Sequence, residues 1–209
     1  KNSLDYANNY VYNTEYTYGT KAILQQNSTK ENRDELVSIA KNSQWIQESS
    51  MEIKANGKEK TGIISIADSG SFINLENLEH KTVNFPHNGV FITRKIAEQL
   101  DLKAGDTISF RAMGEKDYTA VTITEIVSAP SPQGIFISSS EWEKLGKTFS
   151  PTALLIKSRS IEDKIKNLSY VQEIATIDSQ LKSTQSITEN ISIIFLLLKR
   201  LFSKHLVCY

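Results

Sequence analysis

The spacing of hydrophobic and polar positions changes period several times along this chain, and each change marks an element. Residues 10–24 are strand-like, and Tyr10, Tyr12, Tyr16 and Tyr18 fall at even positions, on one face of an extended segment. Ser28 and Glu31 then form an S-x-x-E capping box. The helix it opens carries Leu36, Ile39 and Ala40 on one side and is expected to end near Asn42. Two strands follow, at about 45–54 and 60–67, joined by the turn pair Asn56-Gly57. Residues 68–88, rich in Asn, Ser, Gly and His, read as a connection.

The segment GVFITRKIAEQL, residues 89–100, has a cousin 45 positions later, GIFISSSEWEKL. Each reads as a short strand that delivers the chain to an N-capped helix. In the first, Thr93 is the expected cap and Ile96, Ala97 and Leu100 the inner face. In the second, Ser138 and Glu141 form a capping box ahead of Trp142 and Leu145. Between them Gly105-Asp106 starts a strand in which Ile108, Phe110 and Ala112 alternate with Thr107, Ser109 and Arg111. A turn around Gly114 leads to a strand with Val121 and Ile123 inward, which Pro130 and Pro132 stop. Phe91, Ile92, Phe136 and Ile137 precede the two caps, and alternation sends at least one of each pair into a core.

After Pro151 the pattern changes again. ALLI, 153–156, is a buried strand. Ser160 with Asp163 is expected to cap a helix bearing Ile161, Ile165 and Leu168, and a strand follows at about 171–177. A last helix, from about Ser179, places Ile187, Ile191, Ile194 and Leu198 at helical spacing. The order predicts an α+β fold: one α/β subdomain, residues 1–75 and 150–190, split by a small inserted β-rich subdomain, 76–149, with 191–209 a membrane-proximal or appended tail. The strand at 152–157 is then expected to share a sheet with strands from the first 67 residues.

Charge and cysteine content narrow the function. Lys plus Arg number 24 and so do Asp plus Glu, so no global basic field draws the chain to nucleic acid. Cys208 is the only cysteine, which excludes an internal disulfide and a cysteine zinc site. No signal peptide is visible after Lys1. The run ISIIFLLL, 191–198, is shorter than the ~20 residues that a membrane span needs, and Lys199 and Arg200 interrupt it. A core helix and a membrane helix cut short read equally well there.

Catalytic and ligand motifs fail one by one. Gly146-Lys147-Thr148 ends like a phosphate-binding loop, but Glu141 stands where the first glycine belongs, so Gly146 reads as a left-handed helix cap. His80 and His87 lack any metal-ligand spacing, and no G-x-S-x-G elbow surrounds Ser69, Ser71 or Ser138 to Ser140. No catalytic, cofactor-binding or metal residue is therefore nominated, and no enzyme is expected. The candidate site is a partner-binding surface at Tyr10, Tyr12, Tyr16 and Tyr18. Its plain alternative is a half-buried sheet face packed on a helix.

The segment GVFITRKIAEQLDLKAGDTISF closely resembles one in the extracytoplasmic domains of FtsX/MacB-type ABC transporter permeases, with Leu102, Gly105, Asp106 and Ile108 at the L-x-x-G-D-x-[IV] positions. GIFISSSEWEKLGKTFSPTALLIKS resembles the family's return segment, and the match spans roughly 60–180 in order and pattern. The resemblance implies a porter-like α/β subdomain split by a smaller β-rich one, with the cousin motifs as the way in and the way out. It implies transmembrane helices attached at both ends, residues 1–9 continuing one of them, and a position on the extracytoplasmic side of the cell membrane. The tail KRLFSKHLVCY departs from the family, whose membrane helix continues there. A separate cytoplasmic ATPase subunit is the implied partner, with motion passed through the flanking helices to export a peptide, lipid or lipoprotein, or to confer resistance. A docking domain that activates a cell-wall hydrolase and a free-standing surface-binding module are the alternatives. The Asn-, Lys- and Ile-rich composition suits a Gram-positive bacterium.

Overall fold

The structure, a computed structural model, describes residues 17–129 and 132–179. Their elements are β1 (Thr20–Leu24), α1 (Lys30–Ile39), β2 (Ser43–Ala55), β3 (Lys58–Ala67), β4 (Leu75–Glu76), β5 (Thr82–Val83) and β6 (Val90–Thr93). There follow α2 (Arg94–Leu100), β7 (Thr107–Ala112), β8 (Thr119–Val127), β9 (Gly134–Ser138) and α3 (Ser139–Lys144). The last are β10 (Ala153–Ile156), α4 (Glu162–Ile165) and β11 (Val171–Thr176). The described chain is thus a mixed α and β structure dominated by one large sheet.

That sheet has nine strands in the order β11-β1-β10-β2-β3-β9-β6-β8-β7, and β7 also pairs with β2. The extra pairing closes six strands, β2-β3-β9-β6-β8-β7, into a ring. Strand β2 makes this possible by its length of 13 residues. Its first part pairs with β10, Ser43 opposite Ile156 through Ile46 opposite Ala153. Its second part pairs on the same edge with β7, Met51 opposite Ala112 through Lys54 opposite Ser109. The hairpin partner β3 runs along the other edge from Lys58 to Ala67. Its turn is Asn56-Gly57, with both residues at positive φ of 51° and 71°, the left-handed pair that a two-residue hairpin loop requires.

The two cousin segments are neighbouring strands in the wall of the ring. β6 and β9 pair antiparallel, with Phe91 opposite Phe136 and Ile92 opposite Ile135. Each also has a parallel neighbour, β8 for β6 and β3 for β9. Repetition in the sequence therefore corresponds to an approximate twofold arrangement about the β6–β9 pair. Both members of each apolar pair are buried: Phe91, Ile92, Phe136 and Ile137. Alternation divides them between two cores. Ile92 and Ile137 point into the ring, among Met51, Ile53, Ile64, Ile66, Ile108, Phe110 and Ile123. Phe91 and Phe136 point outward, beneath Phe72, Ile73 and Leu75.

A third core lies where β1 and β10 meet the helices, joining Ala22, Leu24, Leu154 and Ile156 to Leu36, Ile161, Ile165 and Tyr170. β10 is buried on both faces, because Ala153 and Leu155 belong to the outer core beside Phe136. It lies between β1 and β2, so after the ring the chain returns to its first strands.

Local chemistry departs from the sequence reading at several element ends. Thr29, not Ser28, caps α1: its Oγ1 accepts from Asn32 N at 3.3 Å, and Asn32 Oδ1 accepts from Thr29 N at 3.0 Å. A T-x-x-N pair thus outcompetes the adjacent S-x-x-E pair, and α1 ends at Ile39, short of Asn42. Thr93 makes no cap bond to α2. Its Oγ1 instead accepts from Gly134 N at 3.1 Å, tying the end of β6 to the start of β9. Ser138 does cap α3, accepting from Glu141 N at 3.2 Å. At α4 the N-cap is Ile161 without a side-chain bond, and Asp163 pairs forward with Lys166 at 2.5 Å. The segment read as connection holds the small hairpin β4–β5.

Candidate functional surface

The alternation that buries Met51, Ile53, Phe110 and Ala112 turns Glu52, Lys54 and Arg111 outward on neighbouring strands. Register places Glu52 opposite Arg111. Arg111 donates to Glu52 Oε2 from Nε at 3.1 Å and again from Nη2, and Tyr118 OH donates to the same oxygen at 2.9 Å. Lys54 Nζ stands 4.2 Å from the Tyr118 ring centroid and Arg111 Cζ 4.8 Å from it. The Arg111 hydrogen bond, with that from Tyr118 second, holds the Glu52 carboxyl below the usual carboxylate range. Tyr118, and then Glu59, push the Lys54 ammonium upward.

A hollow of about 650 Å³ adjoins this cluster, lined by Ser50, Met51, Glu52, Thr61, Gly62, Ile63 and the stretch Arg111–Glu115. Met113, in the turn after β7, is 75% exposed. It also borders a second hollow of about 460 Å³, whose wall includes Gln47, Trp142, Leu145 and Lys147. The turn that carries Met113 is held from below. Met113 N donates to Ser50 O at 2.8 Å and Lys147 Nζ lies 2.6 Å from Glu115 Oε1.

Lys147 is the lysine of the phosphate-loop-like ending, and its surroundings explain it structurally. Besides Glu115, its ammonium lies 5.0 Å from the Trp142 ring centroid and 5.5 Å from that of Phe110. Gly146 takes φ 77° as the left-handed residue after α3. His80 pairs with Glu76, Nδ1 to Oε1 at 2.6 Å. Among the described residues no three His, Cys, Asp or Glu side chains form a metal-sized group. A third hollow, about 390 Å³, gathers Ser69, Ser71, Ser138, Ser139 and Ser140 with Phe85 and His87, although they lie far apart in sequence. Within it Ser138 is engaged as the cap of α3.

The tyrosine surface divides at residue 17. Tyr10, Tyr12 and Tyr16 lie outside the described residues, while Tyr18 is buried in the outer core with Phe72 and Ile177. The final helix bearing Ile187, Ile191, Ile194 and Leu198 also lies outside them. Among the described residues no helix is long and apolar enough to cross a membrane. The Glu52–Arg111–Tyr118 cluster escaped the sequence reading. Glu52 and Arg111 occupy ordinary outward positions of alternating strands that only register brings together, and Tyr118 joins them from the connection before β8.

Three solved structures, an extracellular domain, a periplasmic region and a permease domain, align with this fold. The periplasmic region of MacB from Actinobacillus actinomycetemcomitans superposes with a TM-score of 0.51 at 12% identity, covering 81% of this chain and 94% of that one. The extracellular domain of the noncanonic ABC-type transporter YknZ from Gram-positive bacteria aligns at 12% identity, covering 76% of this chain and 98% of that one, with a TM-score of 0.49. A domain of a permease protein from Porphyromonas gingivalis aligns over 74% of this chain and 80% of that one, at 13% identity and a TM-score of 0.38. No protein-family model and no curated protein matches the sequence. The fold of this chain is that of the MacB periplasmic region, the resemblance already carried by its motifs.

Proposed function

We propose that this chain is the extracytoplasmic domain of an ABC transporter permease of the FtsX/MacB type, held at the outer side of the cell membrane. The observation that carries the reading is the fold shared with the MacB periplasmic region across 94% of that chain. The motif segments support it independently. Gly105 and Asp106 shape the turn into β7: Gly105 N donates to Ile123 O and Ile123 N to Asp106 O, both at 2.8 Å. Asp106 Oδ2 accepts from Lys103 N at 2.9 Å, so L-x-x-G-D is a working turn in this chain.

In this reading the domain performs no chemistry. A partner ATPase hydrolyses ATP in the cytoplasm, and the resulting motion reaches the domain through helices at its two ends. Residues 1–75 and 150–190 form the porter-like part and 76–149 the insert. Strand β2, which pairs with β10 in the layered sheet and with β7 in the ring, joins the two without a flexible linker. Affinity purification of the full-length gene product from solubilised membranes tests the partnership. It is expected to bring down a nucleotide-binding subunit whose ATPase activity rises in the complex; recovery of the product alone, from a soluble fraction, would refute the reading.

A further inference from the structure

We propose that the hollow beside Met113 binds an uncharged apolar chain of alkyl or acyl type. The proposal is independent of the permease reading. At about 650 Å³ the hollow has the size of small-molecule sites, which run from about 300 to 1,000 Å³ and are walled mainly by apolar groups. Met51, Ile63, Ala112 and Met113 supply that wall, and Ser50 and Thr61 add hydroxyl groups to the lining.

Electrostatics selects among occupants. Three ionisable residues line the hollow, and each is already paired: Glu52 with Arg111 and Tyr118, and Glu115 with Lys147. An anion would compete with Glu52 for Arg111, and a cation would compete with Arg111 or Lys147 for a carboxylate. An uncharged chain disturbs neither pair and gains only burial. Met113 is suited to cover such a chain. It is 75% exposed, and its unbranched thioether adapts to irregular apolar shapes.

The test uses the 209-residue chain and the uncharged fluorophore N-phenyl-1-naphthylamine, displaced by 1-decanol, with decanoate and decylammonium as charged controls. Saturable fluorophore binding, displacement by decanol in preference to either ion, and a shift of the Met113 methyl resonance are expected. Met113→Asp and Ser50→Trp, both at exposed positions, are each expected to weaken binding about tenfold with unchanged melting. Met113→Leu is expected to retain it. Absence of saturable binding, tighter binding of decanoate or decylammonium, or unchanged affinity in folded Met113→Asp would each overturn the proposal. Because Met113→Asp alters only an exposed turn position, it decides the matter even if Ser50→Trp does not fold.

Discussion

The ring and the layered half of this molecule solve the same burial problem differently. The ring closes β2, β3, β9, β6, β8 and β7 on themselves, and with α2 and α3 it forms a core of 18 buried residues. The layered half places nine buried residues between short strands and the helices α1 and α4, and among the described residues it ends at β11, none of whose residues is fully buried. Closure protects backbone pairing, whereas an open edge leaves one row of donors and acceptors to solvent. The ring is therefore expected to be the cooperative centre and the layered half to open first.

The largest effect is expected at Gly134, where β9 starts against β3. A Cβ there would stand 1.9 Å from Ile63 O at a φ of +155°. Gly134→Ala should push β9 away from β3 and cost about 4 kcal/mol or more, the range of severe core lesions. A urea midpoint within error of the native value would show that the β3–β9 contact is not fixed as described.

Next come the cores. Phe110 is fully buried and stacks on Trp142 with centroids 5.9 Å apart, so Phe110→Ala should cost about 3–5 kcal/mol. Phe91→Ala and Phe136→Ala should each fall in the same range of about 3–5 kcal/mol, and unchanged melting of both would place these motifs on the surface. Leu36→Ala, in the layered half, should cost about 2–5 kcal/mol. Its hydrogen exchange should rise first in β1, α1 and β11, with the amides of β6, β7 and β8 still protected. Uniform loss of protection would erase the distinction between the halves.

A smaller effect separates a cap from a tie. If Thr93 Oγ1 holds β9 as described, Thr93→Val leaves Gly134 N without its acceptor and costs about 1–3 kcal/mol. Thr93→Ser, which keeps the acceptor, should recover most of it.

The smallest effects are in pH and differ by half. In the ring, Glu52 has a lowered carboxyl pKa, owing first to the hydrogen bond from Arg111. Its stabilisation is present above the ordinary carboxylate range and disappears as pH falls through the lowered folded value. In the layered half, burial first and the hydrogen bond to Glu35 second push Tyr170 up to about 12. Its stabilisation is complete below the ordinary tyrosine value near 10 and is lost as pH rises toward 12. Melting curves should therefore show acid loss that Glu52→Gln reduces and alkaline loss that Tyr170→Phe reduces.

The sequence disclosed more of the ring than of its surface. Alternation located Ile108, Phe110, Ala112, Val121 and Ile123, and Asn56-Gly57 located the hairpin, because period and turn chemistry are local. Closure was not legible: β2 serves β10 and β7 on one edge, and nothing in a 13-residue strand announces where partners change. The cluster at Glu52 was hidden for the same reason, as was the hollow beneath Met113. Thr93 looked like a cap because hydroxyls before helices usually are, and a competing donor 41 residues away claimed it.

The central claim is that both halves stand outside the cell membrane. Exposed Lys103 in the ring half and Lys164 in the layered half provide one labelling position each. In a cysteine-free version of the full-length protein, Lys103→Cys and Lys164→Cys are to be treated in intact cells with a membrane-impermeant maleimide. Labelling of both before lysis is the predicted result. Labelling of either only after the membrane is broken would contradict it.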